Sequence, residues 1–153
     1  MQIGVIGSGY CSEEIESIAE EVGREIAKRG AILICGGLSG VMEAAARGAK
    51  KEKGITVGIL PGFKIDEANK YIDIKIPTGI SDARNIIIVR ASDAIISVSG
   101  GYGTLSEIAF ALKLRKPIIG IRTWEVSKDV MIAKDPKEAV NIAISLIKKG
   151  YKY

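Results

Sequence analysis

The sequence predicts a single three-layer α/β domain spanning residues 1–153, a doubly wound parallel sheet of six or seven strands between two layers of helices. Three observations point there. Short β-branched runs alternate with longer amphipathic ones, the pattern of βα units whose sheet is covered on both faces. Several of the short runs end in glycine-rich turns, and no linker or internal repeat interrupts the alternation. A chain of this length buries roughly two thirds of its unfolded surface, enough for one core.

Strands are expected at Gln2–Ile6, Ala31–Cys35, Ile55–Leu60, Tyr71–Ile76, Ala94–Val98 and Pro117–Ile121. The first helix should start after Ser12, an N-cap followed by Glu13 and Glu14 that favour the positive helix end, and stop by Gly30. Ile15, Ile18, Ala19, Val22 and Ile26 form its apolar stripe. A second helix fits Val41–Lys51 and a third Thr104–Leu114, while a last one starts at Asp135-Pro136 and runs to Lys149, before Gly150. The run Asn85-Ile86-Ile87-Ile88-Val89 reads, unaided, as a buried strand, although periodicity does not separate that from a helix apolar all round.

Composition narrows the chemistry. There is no histidine, which removes Ser-His-Asp and Cys-His catalysis and histidine-based metal sites. Two cysteines, Cys11 and Cys35, do not make a structural zinc site, and both read as reduced and structural. A reactive role for Cys11 is the alternative, since it lies just before a helix start where a thiolate is stabilised. No metal site and no resident cofactor are expected, and acid-base work falls to carboxylates. The net charge of +4 is spread along the chain with little aromatic interleaving, a solvated surface rather than a nucleic-acid footprint. No segment has the roughly 18 apolar residues of a membrane span. The N-terminus enters a strand-like run with neither a basic region nor a cleavage site, so a cytoplasmic protein is expected.

The turns read Gly7-Ser8-Gly9, Gly36-Gly37-Leu38-Ser39-Gly40 and Ser99-Gly100-Gly101-Tyr102-Gly103-Thr104. In a parallel sheet all three fall on the edge beyond the strands' carboxyl ends, where ligands bind. Glycine lets backbone amides approach a phosphate, and a helix that follows at once adds free N–H groups and a positive dipole end. Gly7, Ser8, Gly37, Ser39, Gly40, Gly100, Gly101, Gly103 and Thr104 are the candidate phosphate-binding residues, with Tyr102 placed either to stack on a base or to cover the turn. A dinucleotide oxidoreductase fits poorly, because the strand ending at Cys35 carries no acidic residue for a ribose and Ser12 takes the third glycine position of that fingerprint. The P-loop lacks its Gly-Lys-Ser or Gly-Lys-Thr. Thr104-Leu105-Ser106-Glu107 has the spacing of a capping box, so Glu107 reads either as a cap or as a functional carboxylate.

The segment Gly100-Gly101-Tyr102-Gly103-Thr104-Leu105-Ser106-Glu107 resembles the GGxGTxxE signature of the LOG phosphoribohydrolases and the related molybdenum cofactor carrier proteins, a Rossmann-like superfamily. The resemblance extends over nearly the whole chain, taking in Gly36-Gly37-Leu38-Ser39-Gly40-Val41-Met42 and Asp82-Ala83-Arg84-Asn85, and it implies a helix at Asn85–Val89. Arg84 and Glu107 match the family's catalytic positions. The lysine that follows the arginine in LOG enzymes is Asn85 here, and the proline before the two glycines is Ser99. Those departures, with the short chain, are more like the carrier branch.

The resemblance implies a partner that is a small phosphorylated ligand, AMP-like or molybdopterin-like. It also implies a homo-oligomer, a homodimer or larger, paired through the Ile86–Val89 region. Two functions follow. The first is hydrolysis of the N-glycosidic bond of a nucleoside 5′-monophosphate, with Glu107 stabilising an oxocarbenium-like ribose and Arg84 clamping phosphate or ribose oxygens. The alternative is a carrier that holds a phosphorylated cofactor without turning it over.

Overall fold

The computed structural model describes residues 1–150. The strands are β1 (Gln2–Gly7), β2 (Ile32–Cys35), β3 (Thr56–Leu60), β4 (Ile74–Pro77), β5 (Ala94–Val98), β6 (Ile118–Ile121) and β7 (Val130–Ile132). They form one sheet in the order β4-β3-β2-β1-β5-β6-β7, and every neighbouring pair is parallel. The helices are α1 (Glu13–Lys28), α2 (Val41–Lys51), α3 (Asn85–Ala91), α4 (Tyr102–Lys113) and α5 (Pro136–Lys148).

The alternation of side chains along each strand builds two apolar layers. Ile3 and Val5 of β1, Leu33 and Cys35 of β2 and Ile96 and Val98 of β5 face a layer closed by α1, α2 and α5. Ile6, Ile34 and Ile95, one residue out of phase with these, face a layer closed by α3 and α4. Both faces of the central strands are therefore apolar, which is why they read as continuous isoleucine and valine runs.

Ser12 caps α1 as its sequence suggests, accepting a hydrogen bond from the Ile15 N–H. Asp135 caps α5 in the same way, accepting from the Glu138 N–H with Pro136 in the first turn. Ala19, Val22 and Ile26 of the apolar stripe are fully buried, while Ile15 and Ile18 are half-buried against the same layer.

Four expectations need correction. Asn85–Val89 is helical, as the resemblance implies and against the unaided reading as a strand. Only four residues separate Val89 from β5, whereas a parallel connection between neighbouring strands needs about a dozen. Helix α4 begins at Tyr102 with Gly101 as its N-cap, so Thr104 is already inside the helix and the capping box does not form. The fourth strand is Ile74–Pro77 rather than Tyr71–Ile76. Asn69 and Asp73 hold the residues before it in turns by accepting from the N–H groups of Tyr71 and Thr56. Strand β7 was not placed from the sequence; three residues are too few to show alternation.

The strand order reverses between β1 and β5. Their register sets Gly7 beside Val98, so the first and third glycine turns leave the sheet side by side at its carboxyl edge, where a doubly wound sheet opens a crevice.

Candidate functional site

The first two turns are laced together. Ser39 Oγ donates to the Gly9 carbonyl at 3.0 Å and the Val41 N–H to the Ser8 carbonyl at 3.0 Å. Gly40 has φ +64°, and a methyl group there would lie 2.4 Å from the Ser8 oxygen, so this close approach requires glycine. In the third turn Gly100 has φ +127° and packs against Thr104, 2.4 Å from where its Cβ would be. No side chain caps the start of α4, and the backbone N–H groups of its first turn have no acceptor within the helix. A Cβ at Gly101 or Gly103 would meet nothing within 4 Å. The turn thus leaves uncapped N–H groups and a positive helix end beside two positions that carry no side chain, an arrangement that attracts anions.

These turns enclose a cleft of about 280 Å³ whose walls include Gly7, Ser8, Gly101, Gly103 and Thr104. Arg84 and Glu107 lie in the same cleft. Arg84 arrives at the end of a single 3-10 turn, Ser81–Arg84, that runs directly into α3, and it is only 8% exposed. Room for its guanidinium depends on Gly36, where a Cβ would sit 2.6 Å from Arg84 Nη2. Arg84 Nη1 donates to Asn85 Oδ1, Asn85 Nδ2 donates to Ser106 Oγ at 3.1 Å, and Ser106 Oγ donates to the Gly103 carbonyl at 2.6 Å. This chain of bonds fixes the arginine relative to the glycine turn. Arg84 Nε is buried without a hydrogen-bond partner, an unsatisfied donor of the kind that native structures rarely leave.

Glu107 projects from the second turn of α4 and is 6% exposed. Burial pushes its carboxyl up to about 8, and the nearby Arg84 charge offsets only part of that rise. Burial in turn lowers the Arg84 pKa from its ordinary value, against the attraction of Glu107. At neutral pH the cleft therefore holds a cationic guanidinium and a mostly protonated carboxyl.

The remaining sequence candidates lie around the cleft rather than in its walls. Ser39 and Gly40 border a neighbouring recess, and Gly100 lines another. Gly37, at φ +74°, is buried, its carbonyl held by the backbone N–H and Nδ2 of Asn69. Tyr102 is 84% exposed beside the third turn. Met42 packs on the core and also lines the cleft. Burial, then the charge of Glu16, raises the Cys11 pKa, so its thiol is not an activated one; burial takes the Cys35 thiol to about 11. Sequence reasoning missed the roles of Gly36 and Ser106, which come from contacts between distant segments. Among the described residues no group of three or more cysteine and carboxylate side chains is placed to hold a metal ion, and no helix is long and apolar enough to cross a membrane.

A family model described as the SLOG cluster4 family matches residues 1–148. The chain belongs to the SLOG cluster4 family. An uncharacterised protein of Archaeoglobus fulgidus is 53% identical over 145 residues, 95% of each chain. The cytokinin riboside 5′-monophosphate phosphoribohydrolase of Mycobacterium tuberculosis is 34% identical over 75% of this chain and 69% of that one. Among solved structures, the molybdenum cofactor binding protein of Rippkaea orientalis superposes with a TM-score of 0.90 at 37% identity, covering 95% of this chain and 96% of that one. The Moco carrier protein of Chlamydomonas reinhardtii gives 0.88 at 35% identity over 97% and 98%. The SLOG cluster4 fold of this chain is thus shared, nearly end to end, with cofactor-binding proteins and, over a smaller part, with a phosphoribohydrolase.

Proposed function

We propose that this protein binds and carries a phosphorylated cofactor of the molybdenum cofactor type, holding it intact. The observation that carries this reading is the near full-length likeness to the Rippkaea molybdenum cofactor binding protein and the Chlamydomonas Moco carrier protein. Burial raises the Glu107 carboxyl to about 8, which favours its neutral form near pH 7. A phosphate dianion seated on the adjacent turn would disfavour ionisation further. A neutral carboxyl beside Arg84 is well suited to binding an anion, because it donates a hydrogen bond without adding negative charge.

The second reading is a nucleoside 5′-monophosphate phosphoribohydrolase, favoured by the presence of both Arg84 and Glu107 in one cleft and by the 34% identity to the Mycobacterium enzyme. In that reaction water adds to C1′ of the ribose, the N-glycosidic bond breaks with its electron pair going to the base, and the base is protonated. Glu107 would act as carboxylate or general base. Base release from a panel of nucleoside monophosphates, by the wild type and by Glu107→Gln, separates the two readings. The carrier reading expects no turnover by either protein. Turnover by the wild type that falls by about 100-fold or more in the variant would establish the hydrolase.

We further propose a cytoplasmic protein that assembles with copies of itself. The exposed apolar side chains Phe63, Ile65, Ile74, Ile76 and Ile80 on and beside the edge strand β4 support this assembly. Helix α3 gives less support, since Ile88 and Val89 are buried within the chain's own core.

A further inference from the structure

The loop after β6 leans onto the third glycine turn and carries the chain's single tryptophan there. Thr123 Oγ1 donates to the Ser99 carbonyl at 2.7 Å, and it lies 2.7 Å from Ser97 Oγ. Trp124 Nε1 donates to the Gly101 carbonyl at 3.3 Å. The indole then stacks against the ring of Tyr102, with centroids 6.2 Å apart and planes inclined by 26°. Tyr102 nevertheless stays 84% exposed, although Gly101 and Gly103 on either side of it line the phosphate cleft. Beside the pair lies a recess of about 380 Å³ bordered by Gly100, Arg122, Trp124 and Glu125.

We infer that Tyr102 and Trp124 form a stacking platform for a fused heteroaromatic ring, a purine or a pterin, belonging to the ligand whose phosphate occupies the glycine cradle. This rests on the phosphate-site reading and adds the residues that would hold the ligand's ring. Tyr102 keeps most of its ring surface exposed at the rim of the cleft while one side packs on Trp124. Anchored from behind by a second ring whose own N–H is satisfied, it offers a flat, preorganised face at little entropic cost. Aromatic stacking accepts any heteroaromatic π-face. Glu125 borders the same recess, as does Arg122, whose guanidinium is paired with Glu14 at 2.6 Å.

The single tryptophan makes the test direct, because one indole N–H resonance reports on the platform. GMP, free pterin and ribose 5-phosphate are titrated into the wild type and into Tyr102→Ala, with affinity measured by calorimetry. GMP and pterin should shift the indole resonance, and ribose 5-phosphate should bind without shifting it. Tyr102→Ala should weaken GMP roughly 5- to 150-fold, the range for loss of one stacked base, and leave ribose 5-phosphate unchanged. The platform is overturned if GMP and pterin leave the indole resonance unmoved, or if the variant loses GMP and ribose 5-phosphate equally, which would mark Tyr102 as part of the turn's structure. Failure of ribose 5-phosphate to bind while pterin still shifts the resonance would sink the phosphate cradle and leave the platform standing.

Discussion

At the scale of single residues, the cleft works through groups whose surroundings differ from those of ordinary surface side chains. Because Glu107 has its carboxyl at about 8 in the folded protein against 4.5 for the free group, the folded state binds more protons between those values. Its contribution to stability is fully present below about 4.5 and is lost as pH rises through about 8. Urea unfolding of the wild type should therefore show stability falling across this window, and Glu107→Gln should flatten that fall. A variant with the wild-type slope would mean that Glu107 is not held neutral. Gly101→Val tests the cradle: with φ at −101° and no atom within 4 Å of a Cβ, valine fits the backbone, so the fold should be unaffected. Phosphate binding, followed by calorimetry, should weaken about tenfold or more if the backbone N–H groups are the donors. The glycine turns and Glu107 were named from the sequence by their offsets from strand ends and a helix start, whereas Arg84 came only from the family resemblance, since the run that follows it reads unaided as a strand. Gly36's packing on Arg84 and the Asn85–Ser106 bond have no local signature: the first depends on how the end of β2 meets Arg84, the second on how α3 and α4 meet.

Elements are positioned by contacts that no periodicity reveals. Helices α1 and α2 cross so closely that a Cβ at Gly23 would lie 1.9 Å from the Ala45 carbonyl oxygen, and one at Gly48 would lie 1.9 Å from that of Glu20. Alanine is favoured over glycine in a helix by about 1 kcal/mol, so Gly48→Ala on propensity alone would stabilise. The crossing predicts the opposite sign. Forcing the backbones apart should cost more than that gain, lowering the melting temperature by several degrees, and an unchanged or raised value would contradict the close approach. The alternation of strand and helix runs was clear because both sheet faces are covered. What the sequence obscured were elements fixed by connection length or by side-chain turns: α3, whose apolar run mimics a strand, and β4, displaced by the Asn69 and Asp73 turns.

For the whole molecule, the edge strand β4 and its flanks expose Phe63, Ile65, Ile74, Ile76 and Ile80, and a second copy is the proposed cover. Light scattering should give a dimer or larger, and Phe63→Ser should shift the population towards monomer without lowering the melting temperature of the chain itself; a wild-type monomer would defeat the assembly. Whether the fold serves as a carrier or as an enzyme is decided by what happens to its ligand. The most direct measurement is mass spectrometry of the purified protein under native conditions, first as isolated and then after prolonged incubation with nucleoside monophosphates and a phosphorylated pterin. The carrier account predicts a complex whose mass difference is that of an intact phosphorylated heterocycle, unchanged with time. Release of a free base together with ribose 5-phosphate would contradict it.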